Sequence, residues 1–146
     1  MKLFGSLLVA LFIVLMPQSA ISKIRVVDTS SAGPMDIVWT SKDRHGRVIV
    51  HLYMYWGKTC PHCHEAMPFI KKMARENPWI KVHMREINDS RRNLIAMYNM
   101  AEAIGETHVA IPAFFYCGYL YTGWADAETT GAWLVDELKQ CRGNPV

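Results

Sequence analysis

Cys60-Pro61-His62-Cys63 places two thiols three positions apart. At that spacing they can close a disulfide, and either can open another disulfide as a thiolate attacking sulfur in line. The attacking sulfur is set by the surroundings. The run Val48 to Tyr55, in front of the pair, is rich in β-branched and aromatic residues and reads as a buried strand. The run Pro61 to Arg75 predicts a helix, with Met67, Phe69, Ile70, Met73 and Ala74 at helical spacing. The pair therefore falls where a strand hands over to a helix. Cys60 is expected at the helix N-terminus, where free N–H groups and the positive end of the dipole favour an anion such as a thiolate. Cys63, one turn further in, is expected to be more buried and to act as the resolving thiol.

The elements that position this pair can be followed along the chain. Ile24 to Asp28 reads as a short strand, Thr29 to Pro34 as a loop, Met35 to Lys42 as a short helix, and Asp43 to Gly46 as a turn. After the long helix, Asn77-Pro78 is a stop, because proline lacks an N–H and restricts its predecessor. Ile80 to Ile87 alternates as a strand, and Asn88-Asp89-Ser90 offers helix-start chemistry for a helix over Leu94 to Ile104 that Gly105 ends. Ala110 to Tyr116 reads as a strand with Pro112 near its mouth. A hairpin at Tyr116 to Tyr119 leads to a strand over Leu120 to Trp124, and Thr129 or Thr130 caps a last helix reaching about Cys141. Alternating strands and helices argue an α/β fold with helices on both faces of the sheet, and the hairpin adds an antiparallel edge.

The chain of 146 residues is 51% hydrophobic, enough for one core. The net charge of +3 comes from scattered basic residues, which argues against nucleic-acid binding. Lys2, the apolar run Leu3 to Met16 and the small residues up to Ser22 describe a signal peptide over residues 1–22, followed by a domain over 23–146. An uncleaved anchor is the other reading of that segment. Either way the domain is expected in an oxidising compartment, periplasmic or otherwise secreted, where disulfides persist. The four cysteines then read as two pairs, Cys60 with Cys63 and Cys117 with Cys141. A strand of about 15 Å running out, at ~3.3 Å per residue, is matched by a helix of about 14 Å running back, at ~1.5 Å per residue. That return brings Cys141 near the hairpin that holds Cys117. Two unpaired core thiols are the alternative.

Trp56, Cys60-Pro61-His62-Cys63, Pro68 and Ile111-Pro112 occur in the order found in the thioredoxin-like superfamily, and residues 24–141 resemble its exported thiol–disulfide oxidoreductases. The Cys-Pro-His-Cys motif is DsbA-like. The resemblance implies a thioredoxin fold, with a central mixed sheet, a C-terminal antiparallel hairpin and helices on both faces. It implies a cis-proline at Pro112 lying against the disulfide, and substrate-facing roles for Trp56 and Ile111. It also implies no cofactor, with cysteine-containing substrate proteins and a membrane redox partner. His62 is expected near Cys60, stabilising its thiolate and making the disulfide more oxidising. The chain departs from the family at Met54, where a buried acid is frequent, so another group, water or Lys58 would have to move the Cys63 proton. Three other readings use the same residues. Cys60–Cys63 could be an inert staple. Cys60, Cys63 and His64 fit the c-type haem pattern, with His64 as axial ligand. Cys60 and Cys63 with His62 or His64 could hold copper or zinc. His51 and His83, on strands, read as satisfied structural residues.

Overall fold

A computed structural model describes residues 37–146, and the expected signal peptide, first strand and following loop lie outside them. Strand β2, Val48–Trp56, is the axis of the sheet. Its even residues face one layer and its odd residues the other, as the two-residue period of a strand requires. Val50, Leu52 and Met54 pack with Ala66, Ile70 and Met73 of helix α1, Pro61–Glu76, and with Leu134 and Leu138 of helix α3, Ala132–Gly143. Tyr53 and Tyr55 pack instead with Met97, Met100 and Ala101 of helix α2, Arg91–Ala103. The molecule is thus mixed α/β, with helices against both faces of one sheet.

Strand β3, Ile80–Glu86, runs parallel to β2 in a register that aligns Trp56 with Glu86. On the other edge, β2 is shared by two antiparallel partners. Strand β1, Thr40–Lys42, pairs with its first half, and strand β4, Ala113–Tyr116, pairs with its second, Ala113 opposite Tyr55. Strand β5, Tyr119–Thr122, closes a hairpin onto β4. The sheet is therefore mixed.

This register decides where the cysteines lie. The parallel strands β2 and β3 end together, so the loops that follow them are neighbours. β4 enters beside the end of β2, so Ile111 and Pro112 arrive at the same edge.

Three expectations are corrected. Residues 40–42 form β1, not part of a helix, because pairing with Val48–Val50 through the Asp43–Gly46 turn overrides a weak local preference. The strand expected from Ala110 starts at Ala113, since the Pro112 nitrogen has no proton to join a ladder. The last helix is introduced by Asp126, whose Oδ1 accepts from the N–H and hydroxyl of Thr129 at 2.7 Å each. Thr130 Oγ1 instead accepts from the Ala125 N–H. A single π turn, Ala127–Gly131, separates this cap from α3.

Cys117 and Cys141 are joined, their Cα atoms 6.2 Å apart. Cys117 and Gly118 form the two-residue hairpin turn, with φ of 47° and 80°, the positive values that follow the twist of the flanking strands. The bond ties this turn to the end of α3. Among the described residues no helix is long and apolar enough to cross a membrane.

Candidate active site

Cys60 is the N-cap of α1, extended at φ −95° and ψ 104°, and its Sγ accepts from the Cys63 N–H at 3.2 Å. Pro61 takes the first helical position, where its missing proton costs nothing and its fixed φ suits the turn. The chain therefore aims a free helix start at Cys60 Sγ, and no acidic residue in the first turn opposes it. Cys60 is bonded to Cys63, with Cα atoms 5.3 Å apart. The two sulfurs are unequal: Cys60 is partly exposed, and Cys63 is fully buried. An outside thiolate reaches only the first, which is the asymmetry that separates an attacked sulfur from a resolving one.

The Ile111–Pro112 peptide is cis, and the Ile111 carbonyl oxygen lies 3.8 Å from Cys60 Sγ. Pro112 is buried and Ile111 half-buried, so Ile111 presents part of its side chain and backbone next to the accessible sulfur. Trp56 is also half-buried and meets the His64 ring edge-on at 6.0 Å. Met54 is fully buried, in register with Met84 and Phe114, so apolar side chains flank it on both neighbouring strands.

The loop before Cys60 is heavily tethered. The Cys60 N–H donates to the Gly57 carbonyl at 3.2 Å. The Lys58 N–H donates to Asn88 Oδ1 at 2.7 Å, and the Lys58 carbonyl accepts from His64 Nε2 at 2.8 Å. That bond assigns the proton of His64 to Nε2. The Lys58 ammonium pairs with the Asp89 carboxylate, and that hydrogen bond followed by the carboxylate charge holds its pKa above the usual lysine range. Lys58 is thereby kept cationic, which suits it poorly to take the proton of Cys63.

His62 differs from expectation. Its Nδ1 sits 3.0 Å from Glu65 Oε2 on the exposed side of α1, and it makes no hydrogen bond to Cys60. Glu65, one turn on in the same helix, is the partner its ring takes. His51 and His83 are satisfied, as their strand positions suggested: His51 bonds both Ser41 Oγ and His83. Among the described residues no group of three or more His, Cys, Asp or Glu side chains is placed to hold a metal ion.

From sequence, Asn88 carries only helix-start chemistry. Ser90 is the residue that caps α2, accepting from the Asn93 N–H at 3.2 Å, which leaves Asn88 free to reach across to Lys58. The signal available was the paired ending of two parallel strands, and it needs the register to be known. Compared with known proteins, the chain matches no protein-family model and no curated protein.

Proposed function

We propose that the protein is an exported thiol–disulfide oxidoreductase of thioredoxin type, exchanging disulfides with cysteines of other proteins through Cys60 and Cys63. The observation that carries the reading is the unequal pair: a partly exposed Cys60 at a helix N-cap, and a fully buried Cys63 one turn inward. An inert staple has no need of that asymmetry. The strand order supports the thioredoxin comparison, with β3 parallel to β2, β4 and β5 antiparallel, and helices on both faces. The cis Ile111–Pro112 peptide, with the Ile111 carbonyl oxygen 3.8 Å from Cys60 Sγ, supports it as well.

In the oxidising direction, a substrate thiolate attacks Cys60 Sγ. The Cys60–Cys63 bond breaks, and Cys63 leaves as a thiolate that takes a proton. A second substrate thiolate then attacks the substrate sulfur of the mixed disulfide and releases Cys60 as a thiolate at the helix start. The substrate has lost two electrons and the pair has gained them. Anything that stabilises the Cys60 thiolate stabilises the reduced form and makes the pair more oxidising. The Cys63 N–H and the helix dipole are the local sources of that stabilisation. His62, held by Glu65, contributes only through space. The direction favoured is oxidation of substrates, with a membrane partner restoring the disulfide. Trp56 and Ile111 are the substrate-facing surface.

The test is the reduction potential of the pair together with a Cys60→Ser variant. A value near about −120 mV marks an oxidant and one near about −270 mV a reductant. The variant is expected to fold and to lose exchange. Full exchange by Cys60→Ser would end the proposal.

A further inference from the structure

The backbone of Lys58, two residues before Cys60, is held at its N–H and at its carbonyl by two side chains that make no hydrogen bond to either sulfur. Asn88 Oδ1 accepts from its N–H at 2.7 Å, and His64 Nε2 donates to its carbonyl at 2.8 Å. We propose that Asn88 and His64 are positioning residues, which keep the 57–60 turn in one shape whether Cys60 is bonded to Cys63 or free. The inference rests on the redox reading above and deepens it.

While the disulfide is closed, the bond itself fixes Cys60. On reduction a pair of substrate thiols supplies two electrons and leaves as a disulfide, the Cys60–Cys63 bond breaks, Cys63 takes a proton, and Cys60 is left as the thiolate. Its sulfur then keeps the Cys63 N–H, now 3.2 Å away, only if the preceding turn does not relax. A fixed turn retains a charge-assisted hydrogen bond at the helix start. A loose turn lets the sulfur swing toward water, the reduced form loses that stabilisation, and the disulfide becomes less oxidising.

The grip is built to hold. Asn88 is itself anchored, because the N–H groups of Asn88 and Asp89 donate to the two Glu86 carboxylate oxygens at 2.5 and 3.0 Å. The Ile87 N–H donates to the Trp56 carbonyl at 3.0 Å, and Asn93 Nδ2 donates to the Glu86 carbonyl at 2.7 Å. The Lys58–Asp89 pair spans the same two loops. Gly57 lets them close: a Cβ there would lie 2.9 Å from Asn88 Oδ1 and 2.8 Å from Ile111 Cδ1. On the other side, His64 donates through Nε2 from the second turn of the helix that Cys60 caps.

The full-length chain and its Asn88→Ala, His64→Ala and His64→Gln variants are equilibrated with graded mixtures of reduced and oxidised glutathione. The pH profile of Cys60 alkylation is recorded for each reduced protein. Each alanine variant is expected to shift the equilibrium with glutathione about tenfold toward its own disulfide, ~30 mV more negative, and to move the alkylation profile to higher pH. His64→Gln, which keeps an N–H donor, is expected to stay within about twofold of wild type. His64 is exposed, so its variants serve even where Asn88→Ala folds poorly. Alanine variants with wild-type constants and profiles overturn the inference, and a His64→Gln that behaves like His64→Ala overturns the role of the His64 donor. A wild-type pair that equilibrates with no glutathione ratio refutes the redox reading itself, and the positioning roles with it.

Discussion

Acid should loosen the sheet where two histidines meet. His51 Nδ1 and His83 Nε2 are 3.0 Å apart, and Ser41 Oγ on β1 sits 2.9 Å from His51 Nε2. The rings stack at 5.1 Å, and Tyr53 stacks on His83 at 4.5 Å. The charged groups acting on the pair are the cations Lys81 and Arg85, and among the described residues no carboxylate acts on either ring. Burial first, then His51, Lys81 and Arg85, lower the His83 pKa from 6.5 to about 4; burial and then Lys81 lower that of His51. Both folded-state values lie below those of the unfolded chain. As pH falls below about 6.5, the unfolded chain therefore takes up protons that the folded pair refuses. The stability is complete above that pH and drains away as pH falls toward 4. For His83 the fall from 6.5 to about 4, at ~1.36 kcal/mol per pH unit, sets a ceiling of about 3 kcal/mol. His83 is partly open to water, and solvent screening brings the expected figure to about 2 kcal/mol. Urea unfolding at pH 7.5 and 4.5, for wild type and His83→Gln, measures it. Wild type should lose about 2 kcal/mol more than the variant on acidification. Equal losses would refute the reasoning, since carboxylates such as Asp43 and Asp126 act on both proteins alike.

Two further perturbations probe the scaffold. Replacing Cys117 and Cys141 together by serine opens a loop closed over a sequence separation of 24, which chain entropy values at about 3.4 kcal/mol; urea denaturation should show a loss near 3 kcal/mol, with Cys60–Cys63 exchange retained by the folded fraction. Gly131→Ala should destabilise by about 1–3 kcal/mol in a thermal melt, because the added Cβ would lie 2.7 Å from the Phe69 ring where α3 begins against α1; an unchanged melting temperature would show that the ring has room to move.

The elements around the cysteines were legible because their periods are strong. Val48–Trp56 and Pro61–Glu76 differ from the sequence reading by one residue at one end. Strand β1 was not legible: three residues of Thr-Ser-Lys carry little preference of their own, and their state is decided by the free edge of β2. The helix cap fell to Asp126 because a π turn intervenes, and a widened turn has no composition signal. At the site, Cys60, Cys63 and Pro112 could be read from type and spacing. The direction of the His62 ring could not, since Cys60 and Glu65 are both within its reach and only coordinates show which it takes. Asn88 was invisible for a related reason: its partner lies 30 positions away, and the contact exists because two parallel strands end side by side.

The most direct test is to trap the exchange at its midpoint. A Cys63→Ala variant, incubated with a peptide disulfide and analysed by intact mass and peptide mapping without reductant, should hold one peptide through a mixed disulfide on Cys60. No adduct at Cys60, in a protein whose Cys117–Cys141 bond is intact, would contradict the account.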